Sequence, residues 1–273
     1  MSLKITRLHE LARKAKVVTS QRADYDAAVY CKENLDELID AYLDSVFILG
    51  QYETTLPTMF KKERPDRDKA VRQDTNALSA QDPDGPLSMS ALSHFFLSHP
   101  GPHAVTADFG FSYVEREPYL VRGRGSSNNY EGSGTQLDYV LKGEPDGRLM
   151  LAQYKSAIDT PPFNALVQLV AYSAMVSNEA QMNRLRASCP DAGFAAPPSL
   201  PMDLCLIFNH NGRTKNQTLN NNWDDSLAVV QVICQKLVRP KQIARYIRQI
   251  HLVQATVGNG TISFAAFAPA AVH

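Results

Sequence analysis

The segment Gln136–Ser156 constrains this chain more than any other. Two runs with strand-like alternation, Gln136–Leu141 and Leu149–Ser156, flank Lys142-Gly143-Glu144-Pro145-Asp146-Gly147-Arg148, whose Gly, Pro and Asp residues favour a tight reversal. A β-hairpin is the expectation. If Glu144–Gly147 is a four-residue loop, Gly143 pairs with Arg148, and counting outward sets Asp138 opposite Gln153. Directly opposed side chains have Cβ atoms about 4.5–5.5 Å apart. Lys155 follows Gln153 by two residues and so projects from the same face. The hairpin therefore brings an acid, an amide and a lysine together.

The rest of the chain supplies a body around this hairpin. With 273 residues, 44% of them hydrophobic, there is material for a large core without metal or disulfide support. Cys31, Cys189, Cys205 and Cys234 are far apart, which indicates reduced, buried thiols rather than a disulfide framework or a zinc ribbon. No apolar run approaches the roughly 18 residues of a membrane helix, and charges appear too early in Met1–Lys16 for a signal peptide, so the expectation is a cytoplasmic protein without a membrane partner.

Apolar residues at three- and four-residue steps predict a helix over residues 24–50 ending at Gly50, and a short helix over Ser88–Ser98. Between Gln51 and Pro86 the composition is polar and reads as a loop or lid, and Gly123–Gly134 reads as a further loop. Strands are expected over Phe109–Val121 and Asp203–Asn209, and helices over Phe163–Ala180, Trp223–Val238 and Pro240–Leu252. The order β-β-β-α-β predicts an α/β fold with a mixed central sheet and flanking helices. Three regions follow: a helical N-terminal region with its polar loop over residues 1–87, a core over 88–210, and a helical, basic C-terminal region packed on the core over 211–273. Net charge is zero, yet Ser226–His273 contains five bases and no acid, leaving 23 bases against 28 acids before it.

Hard oxygen donors beside a lysine suit a Mg²⁺ or Mn²⁺ ion that activates water, the combination phosphodiester hydrolysis needs. The plain alternative is a strand-end acid ion-paired to Lys155. The residues of Tyr113–Tyr172, in particular Asp138, Gln153-Tyr154-Lys155, and Gln168 with Tyr172, resemble the PD-(D/E)XK nuclease superfamily and most closely its RecB-like branch. The resemblance spans about 60 of the 273 residues and rests on the order and spacing of short motifs. It implies a restriction-endonuclease-like core and a deoxyribonuclease in which Asp138 is the metal ligand, Gln153 and the backbone carbonyl of Tyr154 complete the inner shell, and Lys155 faces the phosphate. Gln168 and Tyr172, four apart on one helical face, would support the site or touch the DNA backbone. RecB-like relatives often add a ligand, His or Glu, from a helix before the first strand. His94 is the helical candidate, and Glu115 and Glu117 are the strand candidates.

This sequence departs from the family at Gln153, where a carboxylate is usual, although some members with glutamine there cut DNA. The alternative class is therefore an inactive nuclease-fold module that binds DNA or a protein. A third reading is an unrelated α/β subunit with an accidental match. On the expected helix Pro240–Leu252, Lys241, Arg245 and Arg248 form a stripe opposite Ile243, Ile247 and Ile250, a reasonable tracking element for DNA phosphates. A homo-oligomer or a protein partner stays open. The Cys spacing does not fit the iron–sulfur cluster of some relatives. The Gly-rich loop lacks the fingerprints for ATP or NAD, and Asn209-His210-Asn211 lacks the second histidine of a ββα metal nuclease.

Overall fold

A run such as Met202–Asn209 (MDLCLIFN) is apolar on both sides from Leu204 to Phe208, so it belongs in the middle of a sheet covered on both faces. In the computed structural model, which describes residues 21–51, 87–116, 137–156, 161–188, 194, 200–209 and 217–267, all of its residues are buried. It is β5 of a seven-stranded sheet made of β1 (His103–Ala104), β2 (Gly110–Arg116), β3 (Tyr139–Glu144), β4 (Arg148–Ser156), β5, β6 (Ile247–Gly258) and β7 (Thr261–Ala266), in that spatial order. Strands β4, β5 and β6 are parallel and the other pairs are antiparallel. The protein is thus a mixed α/β fold with flanking helices.

The hairpin has the register expected from its turn. Gly143 pairs with Arg148 and Tyr139 with Ala152. Gly147 adopts φ 66°, a conformation costly for other residues, and its N–H donates to the Gly143 carbonyl at 2.9 Å.

Helices α1 (Gln21–Glu33), α2 (Leu35–Gln51), α4 (Pro162–Val176) and α6 (Gln217–Leu237) share one core with Val140, Leu149, Leu151, Leu204 and Leu206, and so cover one face of the sheet. Helix α3 (Met89–Ser98) joins Tyr139, Leu141, Met150, Tyr154 and Ile207 on the other face. Both crossovers, through α4 and α5 (Glu179–Ser188) and through α6 and α7 (Lys241–Ala244), run on the first face, as same-handed connections between successive parallel strands must. On the second face the edge strands approach each other, with the His103 and Phe264 rings 5.3 Å apart.

Several boundaries differ from expectation for identifiable reasons. The single helix over 24–50 is two helices that meet at Asn34, whose N–H and side-chain amide both donate to the Tyr30 carbonyl at 2.9 Å to close α1, and whose carbonyl accepts the Glu37 N–H at 3.1 Å to open α2. The helix expected to reach Ala180 stops at Val176, since Asn178 accepts the Gln181 N–H at 2.9 Å and starts α5. The largest correction concerns Pro240–Leu252. Only Lys241–Ala244 is helical, and the isoleucines counted as one helical face lie in or lead into β6. Residues 247–257 are rich in β-branched side chains, and pairing with β5 buries Ile247, Ile250, Leu252, Val253 and Ala255 from both faces, whereas a helix would bury one stripe. The C-terminal region is consequently not a helical addition: it contributes α6, α7 and two strands of the central sheet. The polar loop within 52–86, the segment Gly123–Gly134 and the end of the strand expected to reach Val121 lie outside the described residues.

Two buried carboxylates join distant parts of this scaffold. Asp24 on α1 accepts the N–H groups of Phe163 and Asn164, each at 3.0 Å, and the Ser226 hydroxyl on α6, so it caps the start of α4 from another helix. Burial raises its pKa against the lowering effect of those donors. Asp203 on β5 is held by the Arg248 guanidinium, whose Nη1 also donates to Asp146 at 2.7 Å. Burial alone would raise the Asp203 carboxyl, but the hydrogen bonds and charge of Arg248, with the His251 imidazole nearby, outweigh it and hold the group below the ordinary carboxylate range.

Replacing Asp24 by Ala leaves two helix-terminal donors buried without acceptors, and a loss of about 2–3 kcal/mol is expected. Thermal unfolding should show it as a fall in Tm of about 5–10 °C, with Asp24→Asn in between. Asp203, with its depressed pKa, contributes stability present above its ordinary value of 3.8 and lost as pH falls through the folded value. Arg248→Met removes the partner and should cost about 2–3 kcal/mol at pH 7, the low end for a buried pair because Arg248 is half-exposed. Burial then dominates Asp203, so the deficit should shrink toward pH 4. Urea denaturation of both proteins at the two pH values measures this.

Candidate active site

The β3–β4 ladder ends at Tyr139 and Ala152, and just beyond it side chains take over from backbone. Asp138 Oδ2 accepts the Tyr154 N–H at 2.7 Å, and Gln153 Oε1 accepts the Asp138 N–H at 3.4 Å. Lys155 Nζ stands 3.9 Å from Asp138 Oδ2, a loose ion pair. Asp138, Gln153 and Lys155 therefore meet at the C-terminal end of β4, on the face covered by α4, with Gln153 almost fully buried and Lys155 partly exposed. The plain reading of Lys155 as an ion-pair partner of Asp138 is satisfied by the same contact.

Helix α4 lies over this end of β4. All of its residues are buried except Gln168, which is half-buried and marks the point where the helix opens toward solvent. Tyr172, one turn further on, is buried, and its phenol is pushed well above the usual range, first by burial and then by the negative charge of Asp138. Tyr154 points to the opposite face, where its hydroxyl donates to the Leu87 carbonyl.

The additional ligand candidates separate. Glu115 pairs with Val140 across a bulge in β2, so it shares a sheet face with Asp138, and its Oε1 accepts the Arg116 N–H at 2.9 Å. Glu117 lies outside the described residues. His94 is half-buried on α3, whose buried side chains pack on the opposite face of the sheet from Asp138.

The cationic stripe is not reproduced. Lys241 and Arg245 are exposed in and after a single helical turn, and Arg248 starts β6 bound to Asp203 and Asp146. Since β4, β5 and β6 are parallel, all three cations lie at the hairpin end of the sheet, away from Lys155. Sequence reasoning missed the Asp203–Arg248–His251 cluster. A signal existed, for Asp203 is the one charge within an otherwise apolar strand.

Comparison with family models, with curated proteins and with solved structures finds no match for this chain.

Among the described residues, no group of three or more His, Cys, Asp and Glu side chains is arranged to hold a metal ion. A divalent ion at Asp138 would have one carboxylate and the neutral oxygens of Gln153 and of the Tyr154 carbonyl. These donors fit Mg²⁺ or Mn²⁺ in kind, being hard oxygens, but supply a single negative charge. Gln153→Glu adds a second carboxylate in a nearly water-free position beside Asp138. The variant should unfold at lower temperature than wild type in EDTA by about 1–2 kcal/mol of like-charge repulsion. Mn²⁺ should raise its Tm more than that of wild type. Equal responses to Mn²⁺ in the two proteins would detach Gln153 from any ion site.

Proposed function

We propose that this protein is a metal-dependent deoxyribonuclease with a restriction-endonuclease-like core. The observation that carries the reading is the meeting of Asp138, Gln153 and Lys155 at the end of β4 beneath the α4 segment bearing Gln168 and Tyr172. Asp138, Gln153 and the Tyr154 carbonyl would hold a Mg²⁺ or Mn²⁺ ion, which when bound supplies charge neutralisation and a more acidic water. Lys155, loosely tied to Asp138, is free to turn its ammonium toward a phosphate oxygen and stabilise charge that builds there during hydrolysis. Tyr172 lends a protonated hydroxyl beside the carboxylate, and Gln168 an amide at the opening. DNA would approach at this end of the sheet, so Lys241, Arg245 and Arg248 take no part in holding it.

Two observations favour a second reading, a nuclease-fold module that binds DNA without cutting. Gln153 brings no charge, and Asp138 Oδ2 already has a backbone donor. A single assay separates the two. Plasmid and single-stranded DNA incubated with Mg²⁺ or Mn²⁺ should be cut to products bearing 5′-phosphates, with cleavage falling at least about 10³-fold in Asp138→Ala and Lys155→Ala. Activity persisting in both variants removes the assignment. Metal-independent DNA retardation without cleavage favours the module.

A further inference from the structure

Strand β7 accompanies only half of β6. Their register runs from Gly258 opposite Thr261 to Val253 opposite Ala266, and Phe267 then donates its N–H to the Leu252 carbonyl at 2.9 Å. Beyond that point, among the described residues, β6 has a strand neighbour on its β5 side alone, from Met202 opposite Ile247 to Leu206 opposite Leu252. Backbone groups alternate sides along a strand, so if those of Leu252 face β7, those of Ile250 face the open edge. The chain's own continuation is a poor occupant. In the continued register the residue opposite Ile250 is Pro269, which has no N–H to give its carbonyl.

A cavity of about 540 Å³ lies along this edge. Asp108, Phe109, Asp203 and His251 line it on one face of the sheet, and Ile250 and Leu252 on the other. The His251 ring stacks on Phe109 with centroids 3.9 Å apart and is nine-tenths buried. Its Nε2 stands 3.5 Å from Asp203 Oδ2 and makes no hydrogen bond. Charge selects the kind of guest. Glu144 is paired with Lys142, and Asp146 and Asp203 with Arg148 and Arg248, whereas exposed Asp108 has no ion-pair partner among the described residues, so the charge left for a guest to meet is negative.

We propose that the open edge of β6 and its cavity bind an extended peptide in which lysine or arginine alternates with apolar residues, added to the sheet as a strand. Main-chain hydrogen bonds to Ile250 would give affinity, and the two differently lined faces would read alternate side chains. The cation side faces Asp108, and the apolar side faces Ile250 and Leu252. This site is independent of Asp138, which lies at the other end of β4.

The test is fluorescence anisotropy of the full chain with a labelled Lys-Val-Lys-Val-Lys peptide. Saturable binding is expected, weakened about tenfold or more when glutamates replace the lysines, when alternate amides are N-methylated, or when exposed Asp108 becomes Lys. The N-methyl peptide separates strand addition from simple charge attraction. Equal binding of the acidic or the N-methylated peptide, indifference to D108K, or no binding at all would overturn the proposal. So would sedimentation showing the edge occupied by a second copy of the chain.

Discussion

The register of the β3–β4 pair governs everything else in this molecule. Where its backbone ladder stops, Asp138 and Gln153 reach across to the other strand's N–H groups and extend the pairing with side-chain oxygens. Each buried donor thus finds an acceptor, which a strand end inside a covered sheet must provide. The same two bonds fix the orientation of the side chains proposed to act on a phosphodiester. Shifting the register by one residue would turn Asp138 and Gln153 to the face of Tyr139 and Tyr154, and would leave polar groups in an aromatic core.

Rigidity at this point comes from more distant contacts. Helix α4 is packed on β4 and β5, and its first turn is held by Asp24 from α1, itself bonded to Ser226 on α6. Three helices that meet only through folding therefore set the height at which Gln168 and Tyr172 sit over the strand end. The opposite end is organised by charge instead, with Arg248 tying β6 to both β5 and the hairpin turn. The sheet has a hydrogen-bonded end and an ionic end, and the parallel direction of β4, β5 and β6 keeps them apart.

The hairpin was legible in the sequence because its information is local. A Gly/Pro/Asp turn and alternation on either side define both the reversal and the pairing, and Asp138, Gln153 and Lys155 follow from counting. The apolar strand Met202–Asn209 was legible for a similar reason, since a short run of that composition suits a central strand. Residues 240–252 were not. Their isoleucine spacing is compatible with a helical face, and what decides for a strand is the vacant side of β5, which exists only after folding. The helix break at Asn34 escaped as well, because a single polar residue at the junction carries little weight against a long apolar pattern. Asp24 could not be recognised as a cap at all, being 139 residues from the helix start it serves.

Gln153 follows from the same constraints. The position is about 2% exposed, and its oxygen accepts the backbone N–H of Asp138. A carboxylate there would stand beside a second carboxylate with only the distant Lys155 ammonium to balance the two, an arrangement that a buried site tolerates when a cation is present and resists when it is not. An amide keeps the acceptor and removes the repulsion. The strand end then stays closed with or without a metal ion, while any ion that binds is held by less charge than two acids would provide. At this position, affinity for a divalent ion and stability of the ion-free fold are opposed, and glutamine favours stability.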